Sequence, residues 1–317
     1  MERARRRKLS VAGPLYLSPA AFARRRFGGT VFRVIVDAGF SCPVRDGTRG
    51  RDGCLFCSIE GFRPPSSRPE LPLREQIARA LPRLWSRYPH AVGFLVYLQP
   101  YTNTYGPPER LTQVLDEVRG PAGACGVVIG TRPDCLPEPM LALLAREASR
   151  TFVQVELGVQ STHDPTLRAM GRQHTWDDAR RAIAALRARG IRVGAHVILG
   201  TPWEPVRSQI RGAARLSAAG IEAVKLHHLQ VLRGSALAGL RAPDAWALPG
   251  WRPYARIAAA FLERLAPEIV VERLLARAPR EMLLAPRWDV PPERVRREIA
   301  RVLRARGGWQ GRLQRGA

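Results

Sequence analysis

Residues 152–199, FVQVELGVQSTHDPTLRAMGRQHTWDDARRAIAALRARGIRVGAHVIL, decide the fold. Phe152–Val159 and Arg192–Leu199 are strand-sized apolar runs rich in β-branched residues. Between them, Trp176–Arg189 places Ala179, Ile183 and Leu186 on one face of a helix and Asp177, Arg180, Arg181 and Arg187 elsewhere. Gly190 follows, where a helix end favours a left-handed residue. A strand, a helix and a strand in this order imply a crossover and hence a parallel pair.

The same alternation extends in both directions. Further strand-like runs lie at Val31–Asp37, Ala91–Leu98, Cys125–Gly130 and Ala223–Leu229, and amphipathic stretches at Leu73–Trp85, Glu109–Val118, Pro137–Glu147 and Glu204–Ala219. Six β-then-α units predict an α/β fold, a partial (β/α)6 TIM-type barrel over residues 31–237, with its chemistry at the carboxyl ends of the strands. A basic arm (1–30) precedes it. A small C-terminal extension (238–306) follows, in which Pro243, Pro249, Pro253 and Pro267 weaken the pattern. Within it, Glu268–Leu275 reads as a late strand and Pro292–Arg306 as a basic helix docked by Val295, Ile299, Val302 and Leu303. The Gly- and Arg-containing stretch Gly307–Ala317 reads as a disordered tail.

With 317 residues, 45% of them hydrophobic, the chain has ample material for a core, and disorder is excluded for most of it. No apolar run approaches the roughly 18–20 residues that span a bilayer. Pro14, Pro19 and Arg24–Arg26 interrupt the one stretch that mimics a signal peptide, so a cytoplasmic protein with no membrane partner is expected. The net charge is +24, and of 51 basic residues only Lys8 and Lys225 are lysines. Such a surface suits an anionic partner such as RNA. Arginine drift over solvated helix faces would look the same.

Five cysteines at uneven spacing do not form a secreted disulfide framework and point to metal or redox chemistry. Three of them, Cys42, Cys54 and Cys57, lie in the loop CPVRDGTRGRDGCLFC directly after the first strand, spaced C-x11-C-x2-C. Three thiolates on a Gly-rich loop can wrap a soft metal centre. Two readings stand side by side. One is a zinc-stabilised nucleic-acid-binding protein, with Cys135 as fourth ligand and arginines on phosphate. The other is a [4Fe–4S] cluster with three cysteine ligands and one open iron.

The loop and the strand-end motifs together resemble the radical S-adenosylmethionine (SAM) superfamily. The branch most resembled is the bacterial YtqA/YhcC-type family, related to the radical-SAM domain of the Elongator catalytic subunit. The resemblance rests on GFSCP (Gly39–Pro43), RDG (Arg45–Gly47) and GCLFC (Gly53–Cys57). It extends to QPYTNTY (Gln99–Tyr105), GTRPD (Gly130–Asp134), ELGVQS (Glu156–Ser161), GRQHT (Gly171–Thr175) and HVILGTPWE (His196–Glu204). It covers roughly Phe27 to Leu237. It implies an enzyme in which Cys42, Cys54 and Cys57 hold one [4Fe–4S] cluster, and SAM chelates the open iron. Reductive cleavage of SAM then yields a 5′-deoxyadenosyl radical that abstracts hydrogen from a substrate. A reductant such as flavodoxin or ferredoxin is implied as partner, and the Elongator relationship points to tRNA as substrate, beside a small molecule or a protein as the other substrate classes. By similarity to oxygen-independent coproporphyrinogen oxidases, Gln160 faces SAM and Arg172 pairs with its carboxylate. His196 stands where that relative has an acidic ribose contact, and Thr131 is a further SAM neighbour. Outside these roles, Glu156 reads as a strand-end carboxylate orienting a loop arginine, and His227–His228 as rim residues.

Overall fold

The computed structural model describes residues 9–51, 53–58, 63–64, 67–240 and 248–314. In chain order the elements are α1 (Pro19–Phe27), β1 (Thr30–Val36), α2 (Leu73–Arg87), β2 (Ala91–Leu98), α3 (Pro108–Arg119), β3 (Ala124–Thr131), α4 (Glu138–Ala148) and β4 (Phe152–Gln160). Then follow α5 (Asp164–Ala169), α6 (Trp176–Arg187), β5 (Arg192–Leu199), α7 (Val206–Ala219), β6 (Ala223–His228), β7 (Val231–Leu232) and α8 (Ala236–Gly239). The last are α9 (Trp251–Leu262), β8 (Val270–Arg273), β9 (Leu283–Ala285) and α10 (Pro292–Ala305).

Six strands pair in parallel in sequence order, as the alternation predicts, and β8 adds a seventh beside β6. The segment after residue 237 is therefore more than an appendage, because it supplies the last strand of the half-barrel. β7 and β9 form a separate antiparallel ribbon. The sheet curls until its edges communicate: Arg33 of β1 reaches Glu272 of β8 at 2.6 Å. Its convex face packs on the helices through Val34, Val96, Ile129, Val155, Val193 and Leu226, all essentially inaccessible to solvent. In α6, Ile183 and Leu186 are fully buried, each contributing roughly 2 kcal/mol by the area removed from water. Thr175 starts that helix with a reciprocal capping box to Asp178.

The concave face is built in layers. Along β4 the side chains of Phe152, Gln154, Glu156 and Gln160 recur at period two. At the foot, Phe152 joins Leu95, Tyr97 and Val128. Helix α1, capped by Ser18 and ended by the left-handed Gly28, plugs that foot with Phe22 and Phe27. The arm is therefore structured from its helix onward, while Met1–Lys8 lie outside the described residues. The stretch read as a disordered tail is also ordered through residue 314. Gln310 is fully buried, accepting from Leu17 N–H (2.8 Å) and donating to the Ala266 and Ile269 carbonyls (2.6 and 2.8 Å). One amide side chain thus ties both ends of the chain across the foot of the barrel.

Helix α10 docks on α9 through the four apolar residues expected, in a layer outside the barrel. Arg296 pairs with Glu293, Arg301 with Glu298 and Arg306 with Glu263. Two of its five arginines, and Arg306 just past its end, are thus partnered by carboxylates. Among the described residues no helix is long and apolar enough to cross a membrane.

Candidate active site

The cysteine loop folds largely through its own backbone. Arg45 and Asp46 N–H donate to the Cys42 carbonyl (2.9 and 3.1 Å), Gly53 N–H to Val44 (2.8 Å) and Cys57 N–H to Cys54 (2.9 Å). Gly47 (φ 94°) and Gly53 (φ 71°) take the left-handed turns that this return path needs. Cys42 and Cys54 are buried against Val44, with Cys57, Phe56 and Tyr101 packed on them. The loop is anchored to the barrel by Thr102 N–H to Ser41 (3.1 Å), Leu55 N–H to Met170 (3.1 Å) and Leu237 N–H to Leu55 (2.8 Å).

The three cysteines line a cavity of about 230 Å³ at the carboxyl ends of the strands, and Thr131, Gln160, Arg172 and His196 line the same cavity. All seven residues singled out from the sequence therefore meet in one place. Gln160 sits in the left-handed region (φ 67°), after an irregularity in the β4–β5 register. Such a backbone costs a non-glycine residue of order 1 kcal/mol or more. Arg172 crosses the end of β4, donating to the Gly158 carbonyl at 2.6 Å and to Cys54 Sγ at 3.1 Å. A Cβ on Gly158 would stand 3.1 Å from both Arg172 Nη2 and Gln160 Nε2, so glycine keeps that crossing open. Arg132 fixes Arg172 from behind. It donates to the Arg172 carbonyl at 2.6 Å and is held by Asp134 through two hydrogen bonds. The GTRPD motif thus serves the site chiefly through an arginine that its sequence did not single out.

Cys125 lies near the foot of β3, its thiol against the Gly123 carbonyl at 3.5 Å. Cys135 lines a separate recess with Thr48, Tyr105 and Asp178. Among the described residues, no three or more His, Cys, Asp or Glu side chains converge as ligands of one metal ion. Cys135 is not among the residues lining the cavity of the other three cysteines, so the four-cysteine zinc set is not assembled among the described residues. An iron–sulfur cubane takes one thiolate per iron, so its cysteines stand farther apart than the ligands of a single ion. The donor set, three sulfurs on one wall with no fourth cysteine in the cavity, fits a cluster with one iron left open. Burial first, and then Cys54, push the Cys57 thiol up to about 11, against the pull of Arg45. Cluster loading must therefore displace a proton there.

Beneath the cysteines lies a buried charge cluster. Glu156 Oε1 accepts from Arg33 at 2.6 Å, and Glu156 Oε2 accepts from Lys225 and, at 2.8 Å, from His196 Nε2. Lys225 Nζ also donates to the Tyr97 hydroxyl at 3.1 Å and lies 4.2 Å from the centre of its ring. Glu156 thus binds an arginine of β1, not one from a loop. Burial alone would raise its pKa, but Lys225 and Arg33 reverse this and hold the carboxyl well below its usual range. Lys225 is drawn down to about 7, by burial first, against the attraction of Glu156. The partners pull in opposite senses. The ionised carboxylate is the firmer, since three basic groups surround it while Arg33 and Arg273 oppose the ammonium. Burial also lowers His196 to about 4, so the neutral imidazole donates to Glu156.

His227 and His228 line the same cavity. His228 is buried, its ring 4.1 Å from Trp288 and 5.6 Å from Tyr254, and burial lowers it to about 3. Its folded pKa lies below the unfolded value of about 6.5. Its contribution is therefore complete above that pH and is lost as pH falls toward the folded value, at about 1.4 kcal/mol per pH unit. Urea midpoints at successive pH values below 6.5 should fall, and His228→Gln should flatten the slope by this increment. An unchanged slope would show that His228 titrates as it does in water.

Residues 46–208 match the family described as the Radical SAM superfamily, and residues 221–305 the Radical_SAM C-terminal domain. YtqA of Bacillus subtilis (strain 168) is 32% identical over 290 residues, covering 92% of this chain and 90% of that protein. YhcC of Escherichia coli (strain K12) is 34% identical over 267 residues, covering 83% and 84%. The archaeal Elp3 of Methanocaldococcus infernus shares the fold with a TM-score of 0.66 at 15% identity. The match covers 88% of this chain and 64% of that longer one.

Proposed function

Because the chain belongs to the radical SAM superfamily, we propose that Cys42, Cys54 and Cys57 hold one [4Fe–4S] cluster and that SAM binds beside it in the cavity they line. The observation that carries this reading is the convergence of three loop thiols with Gln160 and Arg172 on a single cavity. When bound, the cluster supplies the electron that splits SAM into methionine and a 5′-deoxyadenosyl radical, whose work is hydrogen abstraction.

The chain's own residues prepare the place. Arg172 sets a fixed positive charge against Cys54, where thiolate charge collects on metal loading. Its guanidinium, held by Gly158 and backed by Arg132, is positioned for a carboxylate at the cavity wall. Gln160 presents an amide beside it from a constrained backbone. The aromatic and aliphatic wall of Phe56, Tyr101, Ile198 and Leu229 limits water around a reactive species. We assign the reductant role to a small electron carrier of the flavodoxin or ferredoxin type.

The test is anaerobic reconstitution followed by an iron count and, with dithionite, the yield of 5′-deoxyadenosine. Absence of both would refute the reading. Arg172→Ala should weaken SAM binding about 10- to 100-fold, the equivalent of the roughly 1.5–3 kcal/mol of a charge-assisted hydrogen bond. Gln160→Ala should weaken it less. Calorimetry of the reconstituted variants is the check, and wild-type affinity in Arg172→Ala would reject the assignment.

A further inference from the structure

At the β6–β8 side of the cavity, three polar atoms lack any hydrogen-bond partner: His227 Nε2, His228 Nδ1 and Gln230 Oε1. His228 and Gln230 are 6% and 7% exposed, so bulk water does not satisfy them. Leaving such groups unpaired costs roughly 1–3 kcal/mol each, which the fold recovers when a ligand or ordered water engages them. Arg273, at the end of β8, lines the same corner, and its guanidinium has no carboxylate or carbonyl partner among the described residues. Of the other cavity arginines, Arg63 is paired with Asp37, Arg132 with Asp134, and Arg172 is bonded to Gly158, while Arg45 belongs to the cysteine loop itself. Glu156, the one acidic residue of the lining, is already saturated by Arg33, Lys225 and His196. The adjacent Glu272 is engaged by Arg33 and lies 3.9 Å from Lys225, so Arg273 is left as a cation without a carboxylate partner.

We propose that Arg273, His227, His228 and Gln230 form a substrate subsite for a molecule bearing an acidic group, carboxylate or phosphate, held by Arg273. The inference rests on the radical SAM reading, since the subsite opens into the cavity shared by the three cysteines. Arg273 supplies the charge and a planar pair of donors. The histidines, kept neutral by burial and by Arg273 beside His227, supply N–H donors without adding charge. Gln230 accepts at Oε1, which suits a hydroxyl or amine next to the acidic group. The subsite lines the same cavity as the three cysteines, so a molecule anchored there by its anion shares that space with the cluster side.

The test uses the anaerobically reconstituted holoenzyme and two probes, inorganic phosphate and acetate, titrated by calorimetry at fixed ionic strength. Saturable binding of one probe at one site per chain is expected, with phosphate or acetate naming the acidic group. Arg273→Gln should weaken it at least tenfold, and Arg273→Lys should retain part of it. Arg304→Gln on α10 serves as the control for a chain of net charge +24 and should leave it unchanged. Equal loss in Arg304→Gln, no saturable binding of either probe, or Arg273→Gln weakening SAM but neither anion would each overturn the subsite. Iron content and SAM binding of the wild type report separately on the radical SAM reading, so the two can fail independently.

Discussion

Cys54→Ala or Cys57→Ala should eliminate iron binding on anaerobic reconstitution, whereas Cys125→Ala and Cys135→Ala should retain about four irons per chain. The expectation follows from where the five sulfurs stand. Cys42, Cys54 and Cys57 line one cavity, Cys135 faces a separate recess, and Cys125 sits near the foot of β3. Each of the three is the sole protein ligand to its iron in the proposed site, so removing one leaves two irons open and no neighbouring thiol to replace it. The effect should be close to all-or-none, read by iron assay and by loss of the brown absorbance. The fold should survive, because Cys42 and Cys54 pack in a small cluster apart from the main core. Loss of iron from Cys135→Ala equal to that from Cys54→Ala would refute the three-cysteine assignment.

The barrel was legible because its strands and helices differ in period. Trp176–Arg187 with its capping box, and the apolar runs on either side, are local signals that the tertiary structure does not override. The elements that escaped lack such contrast. Helix α9 is buried on almost every side, from Tyr254 to Leu262, so no polar face marks its period, and Pro253 near its start reads as a breaker. β8 is the late strand expected over Glu268–Leu275, but its four residues are too few to reveal that it joins the main sheet. Helix α1 did carry a signal, Ser18 before Pro19, but three arginines in its last turn looked like a ragged basic arm. The ordered tail is held by Gln310, whose partners are some 40 to 290 positions away in sequence, and by Gly311 and Leu313, whose N–H groups donate to Leu262 and Glu263.

The site divides along the same line. The cysteines, Gln160 and Arg172 announce themselves by motif. The charge cluster does not: Glu156 and His196 stand in motifs, but Arg33, Tyr97 and Lys225 carry none, and only the curl of the sheet brings the five together from different strands. A faint signal was present: polar residues at period two, Gln154, Glu156 and Gln160, inside a strand read as continuously apolar. The isolated Lys225 in an otherwise arginine-rich chain was another. A guanidinium is planar and bulky, whereas a compact ammonium fits between the Tyr97 ring and Glu156.

Glu156→Gln should be the most destabilising single substitution in the barrel interior. The carboxylate is 1% exposed and is the anion shared by Arg33, Lys225 and His196. The amide preserves shape but leaves Lys225 with only Glu272, at 3.9 Å, and Arg33 with Glu272 alone. Removing one member of a buried ionic set typically costs about 3–5 kcal/mol, because the remaining charges stay buried without compensation. For a chain of 317 residues that corresponds to a fall in melting temperature of roughly 4–8 °C. The pH dependence gives a second, independent readout. Glu156 is held well below its ordinary value of 4.5 in the folded state, so its contribution is fully present above about 4.5 and is lost as pH falls through the folded pKa. The deficit of Glu156→Gln relative to wild type should therefore grow as pH falls through about 7, where Lys225 of the wild type takes up its proton against Glu156, and should narrow only in acid below about 4.5. Replacing Lys225 with Met in the Glu156→Gln background should recover part of the loss, since it removes one of the stranded cations. A deficit of less than about 1 kcal/mol at neutral pH would mean that water or Glu272 compensates the cations. No recovery in the double variant would place the cost on Arg33 instead, making the β1–β4 contact, rather than the lysine, what the carboxylate chiefly holds.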